Sequence, residues 1–301
     1  MKKFILIFIF FTNPLFALNI DESIKSTIKS NPKVKIALEK LNESKELIEN
    51  AYGQKLPSII STISGTYSKS DKQTSTSSTT PETFTDQYKI TLTQNLYDGG
   101  INDLEIERSK ILFDNEILIF KKTIQDLVLS AIKGYLTVIN YNKLLEANKK
   151  NYDSVLQVLE EIKTRYDLGS STLYDLQNSE SAFALAQTNL IVAEQNYEIS
   201  KQTFKSIVGL EALELEELIN FNEKLNLNNV ISNTKENNYD LLVILNDINS
   251  KKILLKKEKN TKKPNLDLSI STSYSDSSRV DNGAEITDGT VALTLSIPIF
   301  N

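Results

Sequence analysis

The sequence predicts an α+β membrane protein in which a long antiparallel helical coiled-coil hairpin is joined to β-hairpins. Three observations carry that class. Runs of about ten residues alternate apolar and polar side chains. A proline-free stretch of helical periodicity extends from Ile101 to Gly169. The pattern that opens the chain returns 207 positions later, as the residue pairs below show.

Composition narrows the function classes before any element is placed. The 301 residues carry 34 basic and 39 acidic side chains, a formal net charge of −5. That balance gives no basic footprint for nucleic acid. Cys, His and Trp are absent. Disulfides, thiol nucleophiles, Ser/His/Asp triads and the usual zinc ligands are therefore excluded. No clustered carboxylate pair offers acid–base chemistry, so the chain reads as a non-enzyme with no cofactor and no metal site.

Met1 to Ala17 has a basic start (Lys2, Lys3), an apolar run from Phe4 to Phe11 and a small residue at Ala17. That is the layout of a secretory signal peptide cleaved after Ala17. The apolar run is shorter than the ~20 residues a spanning helix requires, and no Cys follows it for lipid attachment. Residues 21–52 read as helix through Ile24, Ile28, Val34, Leu38, Leu41 and Ile48, with a break at Asn31-Pro32. Pro57 ends the helix.

From Ser58 to Tyr67 the period becomes two, with Ile59, Ile63 and Tyr67 opposite Thr62, Ser64 and Thr66. Ser70 to Thr85 is Ser/Thr-rich and reads as loop. Alternation resumes at Tyr88, Ile90, Leu92, Gln94 and Leu96, which completes a β-hairpin with one apolar face. Such strands suit a tilted membrane crossing as well as a sandwich. The second strand ends in Asp98-Gly99-Gly100, where glycine lets the backbone turn into the next helix.

The helix expected from Ile101 to Tyr166 would be about 100 Å long. Its distal half carries the heptad-like stripe Leu145, Tyr152, Val155, Leu159, Ile162 and Tyr166. Gly134 within it suggests a kink or a close helix contact. Gly169 suits a left-handed position at the helix end, and Thr172 with Asp175 forms a capping box for a returning helix from about Leu173 to Val208. Along that helix, Phe183, Leu190, Tyr197 and Phe204 alternate with Ser179, Ala186, Ala193 and Ser200. Large and small residues alternating on one seam allow two helices to interdigitate closely. Residues 211–229 read as a linker.

Asn31, Pro57 and Tyr67 then reappear as Asn238, Pro264 and Tyr274, each 207 positions later. Alternation recurs through Leu266, Leu268, Ile270 and Tyr274, and through Val291, Leu293, Leu295, Ile297 and Ile299. This gives residues 18–225 as a first structural repeat and 226–301 as a partial second one. Four strands with one apolar face leave open edges, which several copies closing into one barrel would remove.

These residues together resemble the TolC-type outer-membrane efflux channel family, over about residues 18–301. The resemblance rests on Leu96-Tyr97-Asp98-Gly99-Gly100 after an alternating strand and on Tyr166-Asp167-Leu168-Gly169 followed by Leu173, Asp175 and Leu176. The repeat from Asn238 is its third support. It implies a homotrimer with a shared 12-stranded β-barrel in the outer membrane and helices forming a periplasmic tunnel. It also implies a passive exit duct for small molecules or polypeptides, served by a periplasmic adaptor and an inner-membrane pump. Leu168, Gly169 and Ser170 would form the adaptor-contact tip; Asp98, Gly99, Gly100 and Asn301 would mark the two barrel-to-tunnel junctions. A full member would continue beyond Asn301 into a second helix pair. The alternative reading is a soluble periplasmic coiled-coil adaptor or interaction protein, which would not need an apolar sheet face.

Overall fold

The computed structural model describes residues 18–69, 72–74, 77–79, 82–216, 226–277 and 284–299. The expected signal peptide and Asn301 lie outside them. In chain order the elements are α1 (Ile20–Ser30), α2 (Pro32–Gly53), β1 (Ser58–Lys69), β2 (Lys72–Thr74), β3 (Ser77–Thr79) and β4 (Glu82–Tyr97). There follow α3 (Ile101–Asp167), α4 (Leu173–Val208), α5 (Leu227–Asn237), α6 (Tyr239–Asn260), β5 (Asn265–Asp276) and β6 (Glu285–Ser296).

The 207-position repeat extends to element boundaries. α1 and α5 have 11 residues each, α2 and α6 have 22 each, and β1 and β5 have 12 each. Their first residues (Ile20 and Leu227, Pro32 and Tyr239, Ser58 and Asn265) all keep the same offset. Local chemistry repeats with them. Asn19 Oδ1 accepts from the Glu22 amide at 2.8 Å, and Asn226 Oδ1 accepts from the Asn228 amide at 3.0 Å. Asn31 and Asn238 likewise bind the amides of Lys33 and Leu241. An asparagine oxygen satisfies an amide that the first helical turn leaves unpaired.

The chain forms two compact units, Met1–Leu38 with Phe120–Ser232 and Glu39–Ile119 with Asn233–Asn301. In the first, the distal part of α3 packs against α4. Phe204 and Tyr135 are fully buried and meet edge-on at 6.2 Å, with Ala131, Val138, Val208 and Ala212 around them. Small residues of the α4 seam are buried (Ala186, Ala193, Ser200), while Phe183 stacks on Tyr152 at 5.3 Å. The interdigitation expected from the sequence is present. Gly134 lies inside α3, which runs unbroken for 67 residues. A Cβ there would lie 3.7 Å from Phe204, an ordinary contact.

α1 docks on the carboxyl end of α4. Ser26 Oγ donates to the Val208 carbonyl at 2.9 Å, and Asn31 Nδ2 donates to that of Ile207 at 3.0 Å. These side chains satisfy carbonyls that the last helical turn leaves free. The described parts of the linker expected over residues 211–229 carry structure of their own, while 217–225 lie outside the described residues. Leu18 pairs in parallel with Leu215, and the buried Tyr135 hydroxyl donates to the carbonyls of Leu18 (2.9 Å) and Glu216 (2.7 Å). α5 also begins within that linker, at Leu227.

In the second unit the strands form one antiparallel sheet in the order β1-β4-β5-β6. The Ser/Thr-rich stretch expected to be loop is partly strand. β4 starts at Glu82, and β2 pairs with β3. Ser and Thr extend a strand without the apolar alternation that announces one.

Candidate functional site

Three places carry the candidate function: the sheet face, the turn between β4 and α3, and the turn between α3 and α4. Register decides which side chains share a sheet face. Ile59 stands opposite Leu92, Leu92 opposite Ile270, and Ile270 opposite Val291. The row Ile63-Tyr88-Tyr274-Thr287 lies on the same face, as do Leu266 and Leu295. Among the described residues that face has no protein partner; Ile59 is 69% exposed and Val291 72%. From Leu266 to Tyr274 it runs about 26 Å along the strand, or about 20 Å of depth for a strand tilted by about 40°, most of an apolar membrane band. The other face is mostly hydroxyl-bearing, with rows such as Ile60-Thr91-Ser271-Thr290. β1 and β6 occupy the sheet edges.

At the β4–α3 turn, one Asp98 carboxylate takes three amides. They are Gly100 (2.8 Å), Ile101 (3.2 Å) and Asn102 (2.6 Å), all donors at the start of α3. An anion there also complements the helix dipole. Gly99 and Gly100 have φ of 72° and 83°, a region that costs other residues roughly 1–2 kcal/mol. Gly99 is confined as well as turned. A Cβ on it would fall 2.8 Å from Lys263 Cβ. Its carbonyl accepts from Asn260 Nδ2 at 2.9 Å and from Lys263 Nζ at 3.2 Å. Two residues of the second repeat thus hold the end of the first repeat's hairpin.

Further along α3, Lys257 of α6 donates to Glu105 Oε2 at 2.7 Å, and Arg108 binds Oε1 at 3.0 Å. The Lys257 hydrogen bond is the main reason that the Glu105 carboxyl lies below its ordinary range. Lys55 pairs with Asp103, and Gln94 Nε2 reaches the Lys55 carbonyl at 2.8 Å. Sequence reading identified Asp98, Gly99 and Gly100 but missed Asn260, Lys263 and Lys257. The one signal pointing to them was the repeat itself, which sets Asn260 at the place of Gly53.

The α3–α4 turn is built from two caps in succession. The Ser170 amide donates to the Arg165 carbonyl at 2.8 Å and the Gly169 amide to that of Tyr166 at 2.9 Å, the paired bonds of a Schellman motif. Gly169 has φ of 73°, with open space where a Cβ would stand. Thr172 and Asp175 form the reciprocal capping box: Thr172 Oγ1 accepts from the Asp175 amide and the Asp175 carboxylate from the Thr172 amide, both at 3.1 Å. The Thr172 side chain's hydrogen bond holds the Asp175 carboxyl below its usual range. The backbone is held by both caps, yet its apolar side chains stay exposed. Leu168 is 78% exposed and Tyr174 75%, with Leu173 exposed beside them. Sequence reading placed Leu168, Gly169 and Ser170 together here; it did not single out Tyr174.

Among the described residues, no helix is long and apolar enough to cross a membrane, and no group of three or more His, Cys, Asp or Glu is placed to hold a metal.

The family model described as "Outer membrane efflux protein" matches residues 23–210, more than half of the chain. No curated protein sequence matches it. Among solved structures, the chain is similar to the CmeC outer membrane channel of Campylobacter jejuni, at 13% identity and a TM-score of 0.75. That similarity covers 93% of this chain and 61% of CmeC. The outer membrane protein VceC of Vibrio cholerae is similar at 14% identity and a TM-score of 0.69, over 94% of this chain and 69% of VceC. A Pseudomonas aeruginosa membrane protein is similar at 14% identity and 0.72, over 94% and 67%. The chain therefore spans about three-fifths of the length of CmeC.

Proposed function

The chain belongs to the outer membrane efflux protein family, a family of outer-membrane channels rather than enzymes, and from that membership we propose that it is one protomer of a passive exit duct. In this reading the protein is exported by a signal peptide cleaved after Ala17. Residues 18–225 and 226–301 then act as one full and one partial repeat. Three copies close their sheets into a 12-stranded barrel, β6 of each pairing with β1 of the next, with the helices in the periplasm. The duct serves a tripartite efflux or type I secretion system and moves small molecules or polypeptides.

The observation that carries this reading is the unpartnered apolar face on β1-β4-β5-β6. Burying apolar area yields roughly 25 cal/mol per Å², so a face of this size left in water would be a large standing cost. Lipid removes that cost, and closure removes both open edges. A soluble adaptor would need neither.

Leu168, Gly169 and Ser170, with Leu173 and Tyr174 beside them, form the surface offered to a periplasmic adaptor coupled to an inner-membrane pump. Asp98, Gly99 and Gly100 act as the junction between barrel and tunnel. The second junction is assigned to Asn301.

Membrane fractionation tests the reading. The chain should sediment with outer membranes and migrate as a trimer that heat dissociates. Recovery as a soluble periplasmic monomer would sink it.

A further inference from the structure

The polar face of the sheet contains one row unlike the others. Thr62 stands opposite Lys89, Lys89 opposite Ser273, and Ser273 opposite Asp288. The adjoining rows, Ile60-Thr91-Ser271-Thr290 and Ser64-Gln87-Ser275-Ile286, carry no charge. On this face the remaining charge among the described residues is Asp267, which Asn95 and Asn265 hold by hydrogen bonds at 2.8 and 2.6 Å. Lys89 and Asp288 are both exposed, and no ion pair joins either one to another described side chain. They sit two strands apart, about 10 Å between backbones.

We propose that Lys89 and Asp288 line the inner wall of the assembled barrel as two opposed rings of fixed charge that set the ion preference of the exit. The proposal rests on the duct reading above. In the strand order β1-β4-β5-β6, Lys89 on β4 and Asp288 on β6 recur at even two-strand intervals once β6 meets the next copy's β1. Strands tilted by about 40° turn that lateral step into a rise of about 6 Å along the pore axis. Three lysines thus form one level and three aspartates another. Around them the wall is made of short hydroxyl side chains such as Thr62, Ser64, Ser271 and Thr290, which keep the bore wide and neutral.

A twelve-stranded barrel with this tilt has a backbone radius of about 12 Å. The two rings lie closer together than the ~8 Å screening length of physiological salt, so from the axis they largely cancel. The intact exit should therefore discriminate weakly between small cations and anions. Removing one ring exposes the other. Screened Coulomb attraction from three charges at that radius corresponds to about a twofold permeability bias in 0.15 M salt, rising several-fold at 10 mM.

The test is the reversal potential of the full chain in planar bilayers under a KCl gradient. Lys89→Gln should shift preference toward K⁺ and Asp288→Asn toward Cl⁻, with the double variant close to the parent. Because the chain has no cysteine, single cysteines give an independent reading in intact outer membranes. A charged, membrane-impermeant thiol reagent should label Lys89→Cys and Asp288→Cys and spare Ile90→Cys and Val291→Cys. Reversal potentials that stay put, an inserted chain that carries no current, or the opposite labelling pattern would each overturn the charge rings. Failure to reach the outer membrane would instead overturn the duct reading beneath them.

Discussion

The four-stranded sheet and the α3–α4 hairpin solve the burial problem in opposite ways. The hairpin buries a set of apolar side chains between its own helices, with Phe204 and Tyr135 fully buried and Ala186, Ala193 and Ser200 providing the space, while Leu185, Ile191, Val192 and Ile199 stay exposed. It has a core of its own. The sheet turns its apolar side chains outward. Ile59, Val291 and Leu293 have no partner face among the described residues, and the alternating positions of the other face are mostly Ser and Thr. A protein whose sheet is inside out by the standards of a water-soluble domain has specified its solvent, and that solvent is lipid. The same amino-acid alphabet therefore encodes a helix pair with a core of its own and a sheet whose apolar face the described residues leave uncovered.

The largest expected effect is Phe204→Ala. Deleting this side chain from the closed cluster around Tyr135 should cost about 3–5 kcal/mol, read as a lowered denaturation midpoint of the helical hairpin. Ile59→Ala on the sheet should leave that midpoint unchanged. The next is Ile270→Arg at the middle of the apolar band, which should cost roughly 2–4 kcal/mol of membrane insertion and reduce the heat-dissociable trimer. Its neighbour Ser271→Arg, on the other face, should be tolerated far better.

Glycine substitutions sharpen the comparison between the two turns. Gly99→Ala meets both an unfavourable φ and the Lys263 side chain 2.8 Å away, so about 2 kcal/mol of destabilisation is expected. Gly169→Ala meets only the unfavourable φ and should cost about 1 kcal/mol, measurable by thermal unfolding of the two variants side by side. Thr172→Ala removes one half of the capping box for about 1 kcal/mol. The smallest effect is a pH dependence. Asp175 has its folded-state carboxyl lowered, so its contribution is present at neutral pH and declines as pH falls from the ordinary carboxylate range through the lowered value. Stability of Thr172→Ala should show a shallower decline over that acidic window.

Sequence reading reached furthest where a period or a cap is local. Alternation at Ile59, Ile63 and Tyr67 gave β1, the large-small seam of α4 gave its buried face, and Thr172 with Asp175 gave the start of that helix. It fell short where the determinant is distant in the chain. Nothing near Gly99 reveals that Asn260 and Lys263 will hold its carbonyl, because those contacts exist only after the second repeat folds beside the first. Tyr135 looked like one more helix residue, although its hydroxyl ties Leu18 to Glu216. Residues 211–229 read as linker because a one-residue bridge has no period, while the Asn-rich start of α5 resembles loop. The repeat could have corrected that, since Asn226 stands where Asn19 caps α1. Strand β4 was shortened for a related reason: Glu82, Thr83 and Thr85 extend it without apolar alternation. The sheet's apolar face was fully legible from its period; the distinction between membrane and sandwich rested on the resemblance.

The most direct test of the central claim is a nitroxide accessibility scan along β5 in native outer membranes, from Asn265 to Asp276. The account predicts a period of two in the accessible relaxation agents. Positions 266, 268, 270, 272 and 274 should favour lipid-soluble oxygen, and 267, 269, 271 and 273 should favour a water-soluble nickel chelate. Uniform access to the chelate at both sets would contradict it, because the apolar face would then be meeting water.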